Sequence, residues 1–341
     1  MSGIRKIPGY LWSGQLGCHD TDGQLISCKG SGQDAEFRRG IPWPEKRFLI
    51  EGGVVRDRLT NLLWLRDANV AGFPLTWRET FEYVREMNHA SHLGFDDWRV
   101  PNRRELLSLM SFQACKPALP ENHPFRNLFS CWCWTSTTAS IALSHAWYIH
   151  MEGARMFYGG KDQSYLLWPL RGDGSDLLAA SGQKACYDHQ GREIACAGSG
   201  QDGEFQYGAA WPEPRFHSRG ETIDDRLSRL CWMRSADLTG AAVTWSEALA
   251  AIDQLNQQQR ERRWRLPGIT ELESLVDCSQ WGPALPRQSP FDQVREGYWS
   301  STTSLFEPEW AWALYLEKGA VGVGQKSGRH FHVWAVCDSE D

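Results

Sequence analysis

One eighteen-residue phrase occurs twice in this chain, and this repetition constrains the fold more than any other feature. Residues 17–34 read GCHDTDGQLISCKGSGQD, and residues 185–202 read ACYDHQGREIACAGSGQD. Ten of the eighteen positions are identical, among them two cysteines ten positions apart and the whole GSGQD ending. Identity at this level and at fixed spacing is typical of an internal duplication.

The repetition extends over almost all of the 341 residues. Trp43-Pro44 recurs as Trp211-Pro212 at an offset of 168, and later matches such as Trp168 and Trp334 come at 165 or 166. Two small indels in loops explain the drift. We therefore predict two copies of one domain. The expected boundaries are an N-terminal segment at 1–12, copy one at 13–172, a linker at 173–180 and copy two at 181–341.

Tryptophan is over-represented, with 18 residues. Seven tryptophans recur at matched positions of both copies, which predicts a core, because large rings dominate packing energy. These pairs are 43/211, 64/232, 77/245, 98/264, 134/299, 147/312 and 168/334. Four tryptophans have no counterpart and are candidates for a surface role: Trp12, Trp132, Trp281 and Trp310.

Local patterns predict an α+β fold for each copy. DTDG and DHQG are turn sequences between short extended runs, so each cysteine pair lies across a β-hairpin. The T-x-x-E sequences at 76–79 and 244–247 are capping boxes that open amphipathic helices. A second helix follows RVP or RLP in each copy. From Trp134 or Trp299 onward, short aromatic and β-branched runs predict an antiparallel sheet, so the expected order is hairpin, two helices, sheet.

Cysteine usage predicts two disulfides and leaves other thiols over. The pairs Cys18/Cys28 and Cys186/Cys196 predict one disulfide across each hairpin, because cross-strand geometry brings two Cα atoms within bonding range. Four reduced thiols in a cytosolic protein are the alternative. The other cysteines do not match between the copies; they are Cys115, Cys131, Cys133, Cys231, Cys278 and Cys337. Three per copy is an odd number, so at least one thiol in each half is free or pairs outside it.

Composition excludes several classes of protein. No apolar run approaches the roughly 20 residues of a membrane span. The net charge of −6 argues against a general nucleic-acid binder. The first residues, MSGIRKIPGYLWSG, lack the apolar core of a secretory signal, so we expect either a cytoplasmic protein or a trimmed chain.

No catalytic or cofactor motif in the sequence is complete. The hydroxyl-rich stretches 136–138 and 301–303 have no His or Asp at a matched position to activate them. Cys131-x-Cys133 lacks a second pair of zinc ligands. DTDG lacks the closing Glu of a calcium loop, and a Gly-x-Gly at 322–324 has no helix behind it. We expect no catalytic residue, no metal and no cofactor.

Histidines at 330 and 332 place two imidazoles on one face of a strand. Copy one has Ser164 and Leu166 at the corresponding positions, so a metal site shared by the copies is excluded. Any site built on this pair belongs to copy two alone.

Two charged pairs are retained in both copies. Arg99 follows a tryptophan and precedes Glu105, and Arg265 stands in the same relation to Glu271. Arg at a strand end and Glu in the next helix predict an internal ion pair that holds helix to sheet, because an unpaired buried charge is costly. A catalytic acid is the alternative for the glutamates.

Each copy resembles the DUF1566 family, also called the Lcl C-terminal domain family. The elements that carry the resemblance in copy one are CHDTDGQLISCKGSGQD, DRLTNLLW, DDWRVPNRRELLSL, CWTSTT and LLWPLRG. Copy two matches with CYDHQGREIACAGSGQD, DRLSRLCW, RRWRLPGITELESL, YWSSTT and HVWAVCD. Copy two departs at its end, with Cys337-Asp338 where the family usually has Arg-Gly.

The resemblance implies a fold and a class of function. The WRLPxxxEL block followed by an aromatic strand is similar to formylglycine-generating-enzyme-like domains, so the resemblance implies a C-type-lectin-like fold. Some members of the family look like surface or secreted adhesins that bind sulfated glycans, which, with the paired cysteines, implies an extracytoplasmic location. The reactive cysteine pair of formylglycine-generating enzymes is not evident, because Cys337 has no neighbouring cysteine in the sequence.

We therefore expect a non-enzymatic module that binds a glycan or a protein surface. One alternative is a structural subunit of a larger assembly, bound through the unmatched tryptophans. The other is an oxidase-type enzyme that uses copper or a thiol at Cys131, Cys133 or Cys337.

The ligand site is expected in the loops between the final strands, since the retained positions are framework and recognition concentrates in loops. These loops are 139–145 and 157–165 in copy one, and 304–310 and 323–330 in copy two. Aromatic rings with neighbouring polar groups suit a sugar. The candidate ligand-binding residues are His145, Tyr158, Lys161 and Tyr165 in copy one, and Glu309, Trp310, Lys326 and Arg329 in copy two.

Overall fold

A computed structural model describes residues 9–339. These residues form two compact units that do not coincide with the sequence copies. Unit 1 contains Trp43–Ala210, and unit 2 contains Gly9–Pro42 together with the chain from Trp211 onward. Each unit thus joins the helices and sheets of one copy to the hairpin segment of the other, which is 181–210 in unit 1 and 9–42 in unit 2. Of the N-terminal segment expected at 1–12, residues 1–8 lie outside the described part.

The elements of the first copy follow in chain order. They are β1 (Cys18–His19), β2 (Leu25–Ile26), α1 (Asp34–Phe37), β3 (Phe48–Glu51), β4 (Val54–Asp57), β5 (Leu63–Leu65), β6 (Leu75–Thr76), α2 (Trp77–His89), a 3-10 turn (His92–Gly94), β7 (Trp98–Arg99), α3 (Arg103–Ser108), β8 (Trp132–Thr138), β9 (His145–His150), β10 (Met156–Gly160), β11 (Ser164–Tyr165) and β12 (Leu170–Arg171).

The second copy repeats most of this order. Its elements are β13 (Cys186–Tyr187), β14 (Glu193–Ile194), α4 (Asp202–Phe205), β15 (Phe216–Arg219), β16 (Thr222–Asp225), β17 (Leu230–Met233), α5 (Trp245–Gln258), α6 (Ile269–Ser274), β18 (Tyr298–Thr303), β19 (Trp310–Tyr315), β20 (Ala320–Gln325) and β21 (Val336–Asp338).

Unit 1 is built around two antiparallel groups of strands. β8, β9 and β10 pair in sequence order, with Trp132 opposite His150 and Met156 opposite Ile149. A second sheet has the order β3-β4-β5-β12-β7. Helix α2 packs its apolar side, which includes Phe81 and Val84, into the core between these groups. The hairpin β13-β14 belongs to the same unit.

Unit 2 has the same plan. β18, β19 and β20 pair antiparallel in sequence order, and β15-β16-β17-β21 form the second sheet. Helix α5 buries Trp245, Ile252 and Leu255 in the core. The hairpin β1-β2 completes this unit.

The helix starts follow the expected capping chemistry. Thr76 accepts the backbone N–H of Glu79, and the Glu79 side chain accepts the backbone N–H of Thr76. The same reciprocal box opens α5 at Thr244 and Glu247. Two otherwise unpaired donors are satisfied at each helix start.

The predicted α+β class is confirmed, but the predicted order of elements omitted part of each copy. A meander of three strands, β3–β5 or β15–β17, lies between the hairpin and the first helix. Its strands are only three or four residues long, too short for alternation to separate strand from loop in the sequence. Six of the seven matched tryptophan pairs are buried, whereas Trp43 and Trp211 are half-buried.

Candidate functional site

Each hairpin is closed by a disulfide, as the cysteine spacing predicts. The sulfur atoms of Cys18 and Cys28 are 2.16 Å apart, and those of Cys186 and Cys196 are 2.06 Å apart. The turn between β1 and β2 is held by Asp20, whose side chain accepts the backbone N–H groups of Asp22 and Gln24. The repeated phrase therefore encodes a stapled hairpin.

The glutamine that precedes each hairpin fastens it to the final sheet of its unit. The Gln15 side chain donates from Nε2 to the carbonyl of Thr303 at 2.7 Å and accepts the Thr303 N–H at 3.0 Å. Gln183 makes the same two bonds with Thr138, at 2.9 and 2.8 Å. A side-chain amide here takes the place of a neighbouring strand and satisfies buried backbone groups.

The aspartate at the end of the phrase makes a second attachment. The Thr302 hydroxyl donates to Asp34 Oδ2 at 2.5 Å and accepts the N–H of Ile269, the first residue of α6. In unit 1, Thr137 donates to Asp202 and accepts the N–H of Arg103. Its contact with the hydroxyl-rich strand therefore explains why the aspartate that ends the GSGQD stretch recurs in both copies.

Burial dominates the ionisation of this aspartate. It raises the pKa of Asp34 to about 6, although hydrogen bonds from Thr302 and Ser13 oppose the shift. The pKa of Asp202 rises to about 6 for the same reason. Removing a carboxylate from water disfavours its charged form.

A buried lysine in each unit makes the third attachment. Lys326 Nζ donates to the backbone carbonyls of His19 and Asp20 at 3.1 and 2.9 Å and lies 4.2 Å from the ring centroid of Trp245. Lys161 Nζ donates to Thr138 Oγ1 and to the carbonyl of Tyr187, both at 3.0 Å. Burial lowers the pKa of Lys161 to about 7 and that of Lys326 to about 8.

Both lysines are among the residues expected to bind a ligand, and the structure places both of them in the interior. Lys161 is 1 % exposed and Lys326 is fully buried, so neither amino group lies on the surface. Their donors are used by hairpin carbonyls, which the linear sequence places far away. The repeat itself carried the signal, because Lys161 and Lys326 stand at the same offset as Trp134 and Trp299.

The remaining candidates of unit 1 lie in two groups. His145 and Tyr158 are neighbours on β9 and β10, with ring centroids 6.0 Å apart, and Tyr158 also contacts Trp147. Tyr165 instead packs against Trp134 and Tyr148, each at 4.8 Å. Since Trp134 belongs to the core cluster, Tyr165 is a partly buried core neighbour rather than a partner of His145.

In unit 2 the candidates also separate. Trp310 is half-buried at the start of β19, and the adjacent Glu309 is exposed. Arg329 forms an ion pair with Glu247 at the first turn of α5. The turn of the hairpin lies against this loop, since a Cβ built on Gly23 would be 3.1 Å from the Glu309 nitrogen. The surface that remains is the 304–310 loop, edged by the hairpin turn.

The retained Arg and Glu residues form buried ion pairs. Arg99 donates from Nη1 and Nη2 to the Glu105 carboxylate at 2.7 and 2.6 Å and from Nε to the carbonyl of Gly172. Arg265 pairs with Glu271 and also with Asp338. Each pair joins the arginine that follows Trp98 or Trp264 to the second helix of its unit.

A further buried pair was missed in the sequence. Arg47 donates to Asp57 at 3.0 and 2.8 Å and to the carbonyl of Ser108, and Arg215 repeats this with Asp225. The offset of 168 relates both partners. The recurrence of an arginine and an aspartate at the same offset in both copies is the sequence signal that could have predicted this ion pair.

The six other cysteines carry no disulfide. A hydrogen bond with Cys131, together with burial, raises the pKa of Cys133. Cys337 does have a cysteine neighbour: Cys231 lies directly opposite it in the β17-β21 pair, and Arg262 Nη1 is 2.8 Å from the Cys231 sulfur. The expectation that Cys337 has no cysteine neighbour is therefore wrong.

Two further properties of residues 9–339 concern membrane-spanning helices and metal sites. No helix in this range is long and apolar enough to cross a membrane. No group of three or more His, Cys, Asp or Glu residues in it is arranged to hold a metal ion.

Comparison with protein families gives one result. The model of the Lcl C-terminal domain matches the chain twice, over residues 53–171 and 221–337. The matched ranges hold the second and third meander strands, the two longer helices and the final sheet of each copy. They leave out both disulfide hairpins and the first meander strands β3 and β15. No curated protein matches the chain at a significant level.

Proposed function

The chain belongs to the Lcl C-terminal domain family, with two tandem copies of the domain, and on that premise we propose that it is a non-enzymatic binding module. Each unit binds a glycan or a protein surface, in the manner of an adhesin, through the loops of its final sheet. We further propose that the domains have a C-type-lectin-like fold. The two disulfides support an extracytoplasmic or cell-surface location, where such bonds persist.

One observation carries this proposal: in both units the final loops are mounted on a rigid frame. The disulfide closes each hairpin, and the glutamine amide, the aspartate and the buried lysine attach the hairpin to the final sheet in each unit. The loops themselves differ, with ASIALSH at 139–145 and SLFEPEW at 304–310. A constant scaffold with divergent loops is typical of recognition modules.

Matched positions within the loops supply the contact side chains. His145 and Trp310 occupy equivalent places at the start of β9 and β19. Both are half-buried, so each keeps a ring surface for stacking while its base is held in place. Exposed Glu309 beside Trp310 adds a hydrogen-bond acceptor, and an aromatic ring with a polar neighbour suits a sugar or a peptide side chain.

The test compares Trp310→Ala with the unaltered full chain on a glycan array and on immobilised cell-surface protein. We expect binding by unit 2 to be lost and the melting temperature to change by less than about 4 °C, since the ring is only half-buried. Phe73→Ala is the matched control, because Phe73 is 58 % exposed and outside the loops. Unchanged binding, or a large fall in stability, contradicts this assignment of the site.

A further inference from the structure

Unit 2 has a polar cleft that is separate from the 304–310 loop and shares only His330 with the 323–330 loop. The cleft has a volume of about 500 Å³, within the range of small-ligand sites. Its ionisable lining consists of Arg295, Glu296, Glu317, His330 and His332. The uncharged residues of the lining are Gly282, Pro283, Val294 and Gly297.

One side of the cleft is organised by a buried aspartate. Asp237 has a fully buried side chain that accepts from Arg295 Nε at 2.8 Å and from the Gly240 N–H at 3.1 Å. Asp237 Oδ1, the oxygen that accepts the Gly240 N–H, also lies 3.1 Å from His332 Nδ1. Because an ionised carboxylate only accepts, Nδ1 carries the hydrogen and the imidazole presents Nε2 for another partner.

The fold does not require this cluster. Unit 1 has Asn69, Phe129 and Leu166 at the positions of Asp237, Arg295 and His332 under the offsets of the duplication. Unit 1 forms the same strands and helices with these uncharged residues. Burying a carboxylate is unfavourable unless it is paired. A paired charge cluster that one copy lacks without loss of fold points to a role other than stability.

The chemistry of the lining selects the ligand. Glu296 and Glu317 accept hydrogen bonds, and the guanidinium of Arg295 and the imidazoles donate them, which matches hydroxyl groups because these both donate and accept. One guanidinium against two carboxylates gives the lining a net negative charge when the histidines are neutral, and this repels sulfated or phosphorylated ligands.

An aromatic platform adjoins the cleft in the chain. Trp281 is 56 % exposed and directly precedes Gly282, which lines the cleft. It has no counterpart in copy one. This large exposed ring, one residue away from the cleft lining, offers an apolar surface of the kind that one face of a sugar ring contacts.

We propose that this cleft binds an uncharged saccharide of one or two sugar units. The site belongs to the second copy alone and goes beyond the loop surface of the proposed function. His332 and Arg295 contact the hydroxyl groups, Glu296 and Glu317 accept from them, and Asp237 positions the imidazole.

The experiment uses the full chain and saturation-transfer NMR with glucose, galactose, mannose, N-acetylglucosamine and lactose. A heparin disaccharide and Zn²⁺ serve as competitors. We expect at least one uncharged sugar to bind, and His332→Leu and Trp281→Ala each to weaken it by about tenfold or more, the effect of one lost hydrogen bond or stacking contact. His332→Leu should fold, because unit 1 carries leucine at this position and Arg295 still pairs with Asp237.

The outcomes separate this site from the loop surface. Sugar binding that survives Trp310→Ala but not His332→Leu supports the cleft. The inference is overturned if no uncharged sugar binds, if binding persists in His332→Leu, or if the heparin disaccharide or Zn²⁺ displaces the sugar. If His332→Leu unfolds, Trp281→Ala decides alone, because that ring is mostly exposed. Loss of array binding in Trp310→Ala without any sugar in the cleft leaves the proposed function standing and ends this inference.

Discussion

The ammonium group of Lys326 donates a 2.9 Å hydrogen bond to the backbone carbonyl of Asp20, 306 residues earlier in the chain. With the bond to His19, it replaces solvent for two carbonyls of the first hairpin strand and its turn. One side chain of the final sheet thus holds the N-terminal hairpin in unit 2.

Replacing Lys326 by methionine should loosen the hairpin. Methionine keeps much of the apolar stem but leaves two carbonyls without their donor, at a cost of about 1–3 kcal/mol. Hydrogen exchange over residues 18–26 should accelerate in this variant. Urea unfolding should show a lower free energy of unfolding than in the wild type. Lys29→Met is the control, because Lys29 is an exposed residue of the same segment. Equal exchange in both variants would show that the lysine does not hold the hairpin.

Replacing Asp34 by asparagine should change how stability depends on pH. The folded-state pKa of about 6 lies above the ordinary value of 3.8, so the folded chain keeps this proton where the unfolded chain has lost it. The aspartate therefore lowers stability progressively as pH rises from about 4 to 6, by up to about 3 kcal/mol. Asparagine does not titrate. The free energy of unfolding of the variant should therefore rise relative to that of the wild type as pH increases over that range.

Urea unfolding at pH 4, 5, 6 and 7 measures this difference. Asp22→Asn, which alters an exposed residue of the hairpin turn, should run parallel to the wild type. Parallel curves for Asp34→Asn as well would mean that the carboxylate is not perturbed by burial.

Replacing Glu105 by glutamine should be strongly destabilising. Arg99 would keep its bond to Gly172 and its position 4.4 Å from the Tyr207 ring centroid but lose its counter-charge inside the fold. Breaking a buried pair in this way costs about 3–5 kcal/mol. Asp97→Asn removes the partner of Arg171 in a more exposed pair, where a loss of about 0–1 kcal/mol is expected. Similar losses in the two variants would place the Arg99 pair in solvent.

The compact units make different predictions for two fragments of similar length. Residues 43–210 contain all of unit 1 described here and should fold as a monomer with a cooperative thermal transition. Residues 13–172, the sequence copy, lack the 181–202 segment that occupies Thr137, Thr138 and Lys161. We expect this fragment to be less stable or to self-associate. Circular dichroism and size-exclusion chromatography make the comparison, and a more stable 13–172 fragment would contradict the unit boundaries.

Much of the frame could be predicted because the duplication presents each framework position twice in the sequence. Residues kept at one offset, such as Cys18 and Cys186, mark positions that the fold uses twice, and the disulfides follow from their spacing. The capping boxes depend only on residues three apart. Local chemistry determines both features, so the sequence is sufficient for them.

The exchange of hairpins could not be predicted for the opposite reason. Ser13-Gly14-Gln15 and Ser181-Gly182-Gln183 are identical, and so are Thr137-Thr138 and Thr302-Thr303. Either hairpin offers the same bonds to either sheet, and connectivity rather than composition decides between them. For the same reason, the sequence did not predict that Lys161 and Lys326 bind hairpin carbonyls. Their burial depends on which hairpin packs over them.

The division of unit 2 between the two ends of the chain has a consequence for synthesis on the ribosome. Residues 9–42 attach to residues 298–326. They leave the ribosome long before residues 298–326 are synthesised. The first strand to be synthesised that can bind this segment is β8. Its Thr137 and Thr138 form hydrogen bonds with the same types of side chain. The nascent N-terminal hairpin therefore meets a competing acceptor until residues 181–202 arrive to take that place. Vectorial translation makes timing, and not only contact energy, part of how this chain reaches its final arrangement.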